Sequence, residues 1–139
     1  KPQNVFVASD GSMKLGDFGL SKQLAATNAL AKTLCGTPLY MSPEQVQGNR
    51  SLDERSDIFS AGVCLYEVLA IREPFRGRTI DETFNNIKHL EVEPPSVRSP
   101  TQEIPAEADQ VVAKALQKRP GERFQSMRDL IAALRAIET

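Results

Sequence analysis

The sequence has little net charge and no long apolar run, and each of these absences excludes a class of protein. Seventeen basic and eighteen acidic residues give a formal net charge of −1. Nothing supplies the excess of positive charge with which a protein binds nucleic acid through a broad surface. No uncharged apolar run approaches the roughly 20 residues that span a bilayer, so we expect no membrane contact by this segment.

Cysteine and histidine are also scarce. Cys35 and Cys64 have no Cys or His partner at a metal-ligand spacing. Isolated thiols are typical of a reducing compartment, which predicts a cytoplasmic protein or the cytoplasmic domain of a membrane-anchored one. The single histidine, His89, is expected to be a solvated helix residue rather than a catalytic base. The chain starts at Lys1 rather than Met, so we expect part of the protein to precede it.

The first part of the chain predicts a β-hairpin. Val5-Phe6-Val7 and Met13-Lys14-Leu15 flank Ser9-Asp10-Gly11-Ser12, and Asp-Gly between two apolar runs favours a tight turn. The strands are short, so the ribbon needs something to pack on.

The rest of the chain predicts helices. Residues 57–71 are apolar on nearly every face, which is typical of a helix in the middle of a domain. Capping boxes at Thr79 and Ser126 start two amphipathic helices, and Pro105 opens another between them. The side chains expected to face inward are Ile80, Phe84 and Ile87; Val111, Val112, Ala115 and Leu116; and Met127, Leu130, Ile131, Leu134 and Ile137. The fold class is therefore α+β, mostly helical with a small β-ribbon.

Two oxygen-bearing side chains flank the hairpin. Asn4 precedes the first strand, and Asp17 of Gly16-Asp17-Phe18-Gly19 follows the second. An antiparallel ribbon brings these positions to one end. An amide oxygen and a carboxylate suit a hard cation such as Mg²⁺, which completes its shell with water and substrate phosphates. Taken alone, Asp-Phe-Gly is weak evidence, because a turn after a strand uses the same residues.

A series of motifs in order carries a stronger signal. Lys1-Pro2-Gln3-Asn4, Asp17-Phe18-Gly19, Gly36-Thr37-Pro38-Leu39-Tyr40-Met41-Ser42-Pro43-Glu44 and Ser56-Asp57-Ile58-Phe59-Ser60 follow one another. This series resembles the C-terminal lobe of a eukaryotic-type (Hanks-type) serine/threonine protein kinase and covers essentially the whole chain. Three runs resemble bacterial members most: Ser42-Pro43-Glu44-Gln45-Val46-Gln47-Gly48, Ser56-Asp57-Ile58-Phe59-Ser60 and Arg123-Phe124-Gln125-Ser126-Met127. The activation segment also resembles that of NIMA-related kinases. Ser42 replaces the usual Ala, and Phe59 stands where many kinases have Trp.

The resemblance implies a role for each matching residue. Asn4 and Asp17 would hold Mg²⁺ bridging the ATP phosphates, and Lys1 would neutralise the transferred phosphoryl group. Packing of the Phe18 ring would distinguish active from inactive states, and Gly19 beside it would give structural support. Thr37 would tie the activation segment, residues 17–44, to the catalytic loop.

Three further roles are structural. Leu39 and Tyr40 would line the pocket for the residue after the phosphoacceptor. Glu44 would form a buried pair with Arg123. Asp57, which by itself is most simply a helix cap, would accept backbone N–H bonds from the catalytic loop.

What the family has and this chain lacks also matters. The resemblance places the catalytic Asp two residues before Lys1, with the N-lobe further upstream. The 139 residues are therefore expected to be a partial kinase domain, inactive alone but part of an ATP- and Mg²⁺-dependent enzyme that phosphorylates Ser/Thr hydroxyls of proteins. Thr33 is the candidate activating phosphosite, ahead of Thr27 and Ser21. A pseudokinase scaffold and a truncated lobe acting as an interaction module stay open as alternatives.

Overall fold

The computed structural model describes residues 38–137 and the backbone of residues 5–7 and 13–15. Strand β1 spans Val5–Val7 and strand β2 spans Met13–Leu15. The helices are α1 Pro43–Val46, α2 Glu54–Ala70, α3 Ile80–His89, α4 Pro95–Arg98, α5 Ala106–Ala115 and α6 Met127–Arg135, with 3₁₀ turns at Pro100–Gln102 and Pro120–Glu122. The mostly helical α+β class is confirmed.

The predicted hairpin is confirmed at the level of strand pairing. β1 and β2 are antiparallel, and Val5 pairs with Leu15 and Val7 with Met13. The start of β1 and the end of β2 therefore lie at the same end of the ribbon, which is what the prediction for Asn4 and Asp17 requires. Both of these residues, and the Asp10-Gly11 turn, lie outside the described residues.

Helix α2 is central to the described body, as its apolar composition predicts. Phe59, Val63 and Tyr66 of α2 pack with Phe75 and Ile87 in one core cluster. Ile58 of the same helix packs with residues of α5 and α6 in a second cluster, whose other buried members are Val111, Ala115, Phe124 and Leu130. Because α2 contributes to both clusters, its position sets the positions of the helices around it.

The contact between α2 and α5 is unusually close. A Cβ added at Gly62 would lie 2.8 Å from the Cβ of Ala115, nearer than packed carbon atoms approach. Glycine and alanine at facing positions therefore allow the two backbones to approach. Cys64, a buried free thiol, packs as a small hydrophobic residue, and burial raises its pKa.

The helices start near the predicted residues, but the contacts that cap them differ from the prediction. α2 begins three residues earlier than predicted, and its N-cap is Asp53, whose side chain accepts from the Arg55 N–H. Asp57 is thus not the helix cap. Thr79 caps α3 as predicted, but the Glu82 carboxylate accepts from the backbone N–H of Arg78, one residue before the N-cap.

Most of the predicted inward-facing side chains are buried or partly buried, but two are not. Ile80 is 42% exposed and Ile131 is 43% exposed. Ile80 is the first residue of α3, where buried Thr83 takes the inward position and bonds back to the Thr79 carbonyl. Ile131 lies beside Leu130, and the narrow contact of α6 buries only Leu130 completely. His89 is the exposed last residue of α3, as expected. None of the described helices is long and apolar enough to cross a membrane.

Candidate functional site

The site that the structure describes is a buried ion pair between Glu44 and Arg123. Arg123 donates from Nη1 to Glu44 Oε2 at 2.7 Å and from Nη2 to Glu44 Oε1 at 2.8 Å. Arg123 is 1% exposed and Glu44 is 8% exposed. Two parallel N–H···O bonds fix both planes, so the pair holds α1 against the loop that precedes α6.

Arg123 uses all of its N–H donors. Its remaining three go to backbone carbonyls: Nε to Gln117 at 2.7 Å, Nη1 to Arg55 at 3.0 Å and Nη2 to Lys118 at 3.0 Å. The Phe59 ring lies with its centroid 4.9 Å from Cζ, so the guanidinium also lies against an aromatic face. The aromatic ring that replaces the family's usual Trp thus contacts the arginine directly.

Glu44 is held in its charged form. Burial alone would raise its pKa, but hydrogen bonds from Arg123 and from Ser56 Oγ, at 2.7 Å, outweigh burial and lower the pKa below 4.5. Ser56 is a supporting residue that the sequence did not single out for this role. It lies in the first turn of α2, so this bond ties the carboxylate to the central helix.

The N-terminal end of α1 is capped by Ser42. The backbone N–H of Ser42 donates to Gln45 Oε1 at 2.8 Å, and Ser42 Oγ accepts from the Gln45 N–H at 3.3 Å. This reciprocal capping box satisfies two donors at the helix start. Ser42, in place of the family's usual Ala, therefore stabilises the start of α1, since alanine has no side-chain oxygen to accept the bond.

Tyr40 connects the described segment just before α1 to helix α2. Its hydroxyl donates to Glu67 Oε2, and its carbonyl oxygen accepts from Ser60 Oγ. Burial and the neighbouring Glu67 carboxylate raise the pKa of Tyr40, so it stays a hydrogen-bond donor. Leu39 is 3% exposed and packs inward. The role of Leu39 and Tyr40 in a substrate pocket stays a prediction.

Asp57 lies in the first turn of α2 and is half-buried. Its predicted partners in the catalytic loop lie outside the described residues, as do Lys1, Asn4, Asp17, Phe18, Gly19, Thr33 and Thr37. The structure thus brings together Glu44 and Arg123, and leaves the predicted nucleotide and magnesium residues as predictions. Within the described ranges, no cluster of His, Cys, Asp and Glu could hold a metal ion.

Lys118 is a second residue that the sequence did not reveal. Its Nζ donates to the carbonyl oxygens of Ile87 at 2.8 Å and Asn86 at 3.4 Å, in the last turn of α3, and lies 4.3 Å from the centroid of the Phe75 ring. Burial, with a smaller contribution from the charge of Arg123, lowers the pKa of Lys118 to about 8. Glu91 acts in the opposite direction. Lys118 thus links the end of α3 to the segment whose carbonyls hold Arg123.

Comparison with known proteins gives a family match over nearly the whole chain. The model of the protein kinase domain family matches residues 1–133. Serine/threonine-protein kinase PknB of Mycobacterium tuberculosis strain H37Rv is 36% identical over 138 residues, covering 96% of this chain and 21% of that protein. PknB of Mycobacterium leprae is 35% identical over 137 residues, with the same coverage.

A second kinase of the same genus gives a similar match. PknL of M. tuberculosis strain H37Rv is 34% identical over 139 residues, covering 99% of this chain and 34% of that protein. The chain thus spans between a fifth and a third of the length of these relatives.

Proposed function

We propose, from the premise that this chain belongs to the protein kinase domain family, that it is part of a serine/threonine protein kinase that transfers the γ-phosphoryl group of ATP to protein hydroxyls. The observation that carries the proposal is the buried bidentate pair of Glu44 and Arg123. The resemblance implies this pair at the two ends of the described region, 79 residues apart, and no local pattern would produce it.

The proposed catalytic residues are those that flank the hairpin. Asn4 and Asp17 would hold Mg²⁺ through an amide and a carboxylate oxygen, and this donor set fits the ion because magnesium prefers hard oxygen ligands. Bound with ATP, Mg²⁺ supplies neutralisation of charge on the β- and γ-phosphates. Lys1 would bind the transferred phosphoryl group, and Thr37 would position the activation segment, residues 17–44. The strand register, which pairs Val5 with Leu15, supports a shared end for Asn4 and Asp17.

The contacts of Tyr40 and Glu44 support a positioning role for the end of the activation segment. Both residues are bonded to α2 or to side chains that α2 supports. Such anchoring would hold the end of the activation segment, and the proposed substrate pocket with it, against a rigid element. Catalysis by this arrangement would consist of positioning and electrostatic stabilisation rather than covalent chemistry.

The direct test is an Asp17→Ala substitution in the intact protein. We expect phosphotransfer from radiolabelled ATP to fall to background while the thermal unfolding temperature stays unchanged, because a metal ligand contributes chemistry rather than packing. Asp10→Ala, on the predicted turn of the same hairpin, is the matched control and should leave activity intact. Substantial kinase activity in Asp17→Ala would refute the assignment.

Regulation by phosphorylation is proposed at Thr33. A phosphate there adds nearly two negative charges to the activation segment and can order it against basic side chains. Mass spectrometry of the active protein should find phosphate on Thr33, and Thr33→Ala should lower activity, whereas Thr27→Ala should not. An unmodified Thr33 together with a fully active Thr33→Ala variant would remove the proposal.

A further inference from the structure

The C-terminal end of α3 is held by a side chain from outside the helix. Lys118 Nζ donates to the carbonyl oxygens of Ile87 at 2.8 Å and of Asn86 at 3.4 Å. The Asn86 carbonyl also accepts from the backbone N–H of Leu90, the C-cap residue, at 2.9 Å. The last carbonyls of a helix have few partners within the helix and carry the negative end of its dipole, so a cation placed there holds this end.

The Lys118 cation also lies against two stacked rings of the core. Its Nζ is 4.3 Å from the centroid of the Phe75 ring and 5.8 Å from that of the Phe59 ring. Both rings are buried, and their centroids are 5.7 Å apart. Asn86 Nδ2 donates to the Phe75 carbonyl at 3.1 Å. The last turn of α3 is therefore bonded both to Lys118 and to the segment that carries Phe75.

Lys118 is joined to the Glu44–Arg123 ion pair through Arg123. Arg123 Nη2 donates to the Lys118 carbonyl oxygen at 3.0 Å, and the Phe59 ring lies near both cations. Since Arg123 pairs with Glu44 of α1, a continuous series of polar contacts runs from α1 through Arg123 and Lys118 to α3. Helix α1 also packs directly on α3, so the series closes into a ring.

Holding the Lys118 charge in this place costs free energy. Burial and, to a smaller extent, the charge of Arg123 lower the pKa of Lys118, while Glu91 acts in the opposite direction. A lysine side chain is long enough to keep its charge in water, and Lys118 is only partly buried, yet its Nζ bonds inward. A charge held inside is weak support for stability, and one reason to retain it is that it fixes a single arrangement of the elements around it.

We propose that Lys118 is a positioning residue that couples α3 to the Glu44–Arg123 ion pair, so that α1 and the C-terminal end of α3 change position together. Breaking the ion pair frees the Arg123 guanidinium, withdraws its N–H from the Lys118 carbonyl and loosens the hold of Nζ on α3. Glu44 is the last residue of the proposed activation segment, residues 17–44, so the coupling carries a change at the end of that segment to α3. That consequence rests on the proposed function, whereas the coupling itself does not.

Hydrogen–deuterium exchange of the intact protein, read by mass spectrometry of peptides that cover α3, measures this hold directly. Lys118→Met should make the backbone amides in the last turn of α3 exchange about tenfold faster, while the amides of α6 keep their rates. Lys114→Met is the matched control. Lys114 Nζ also lies over a phenylalanine ring, 4.7 Å from the Phe124 centroid, but within the described residues it donates to no carbonyl of α3, so α3 should exchange as in the original protein.

Combined substitutions test the coupling. Glu44→Gln should speed exchange in the last turn of α3 in the original protein, and it should add less than about twofold in the Lys118→Met background. If Glu44→Gln does not fold, Ser56→Ala, which removes one donor to the Glu44 carboxylate, takes its place. Unchanged α3 exchange in Lys118→Met, or an equal effect of the Glu44 substitution with and without Lys118, would overturn the proposal. Equal acceleration of α3 and α6 would also refute it, because Lys118 would then support the whole body rather than α3.

Discussion

Replacing Arg123 with methionine should destabilise this protein far more than the loss of an exposed arginine. The substitution keeps an apolar chain against Phe59 but removes five N–H donors from Glu44 and three backbone carbonyls. Glu44 then keeps only Ser56 as a described side-chain donor while it stays buried. Breaking one partner of a buried pair costs roughly 3–5 kcal/mol, a large part of a domain's roughly 5–15 kcal/mol of stability.

The assay is urea denaturation of the intact protein, with the free energy of unfolding extrapolated to water. Arg128→Met is the matched control, because Arg128 is exposed on α6, and it should change stability little. The Glu44→Met/Arg123→Met double variant should lose less than the sum of the two single losses, since it leaves no unpaired charge. The reasoning fails if Arg123→Met costs under about 1 kcal/mol, or if the single losses simply add.

Three other expectations can be checked in the same unfolding assay. The pKa of Lys118 is lowered from 10.5 to about 8, so between these pH values the side chain is protonated in the unfolded state and neutral in the native state, and the free energy of unfolding should rise with pH. Lys118→Met should lack this rise, and a variant with the same pH profile as the original protein would contradict the prediction. The pKa of Glu44 is lowered from 4.5, so the stabilisation by its charged form is complete above pH 4.5 and is lost as the pH falls through the native pKa. Glu44→Gln should therefore lose less stability than the original protein as the pH is lowered, and an unchanged loss at acid pH would contradict the prediction. Ile71→Gly removes the strain of a left-handed backbone conformation, roughly 1–2 kcal/mol, at an exposed position, and the flexibility of glycine in the unfolded chain offsets part of this gain. The free energy of unfolding should therefore stay the same or rise, and a clear decrease would show that the Ile71 side chain packs more than its exposure indicates.

Local pattern was enough to predict most of the secondary structure. The Asp10-Gly11 turn between apolar runs predicts the strand pairing, and the apolar run from residue 57 predicts a central helix. Burial at Val112, Ala115 and Leu130 follows the helical period. These predictions succeed because they depend on neighbours three or four residues apart, or on a two-strand turn.

Sequence pattern alone could not identify the two residues of the buried ion pair. No spacing links Glu44 to Arg123 across 79 residues, and the pairing was expected only from the family resemblance. Ser56 belongs to a quoted motif, but nothing in the sequence indicated its bond to the Glu44 carboxylate, which a distant segment supplies. Lys118 gave no signal, because its partners are backbone carbonyls at the end of α3. Tyr40 and Glu67 were each noticeable in the sequence, but nothing there showed that they meet.

The sequence by itself determined the family, the order of motifs and where helices form, since residue identity and short-range spacing carry that information. Only the tertiary structure decided which side chains satisfy the five donors of Arg123, that Asp53 rather than Asp57 caps α2, and that Ile80 and Ile131 stay exposed. The physical reason is that these outcomes depend on which surfaces meet once the helices pack, and burial is a property of the packed body rather than of any one segment.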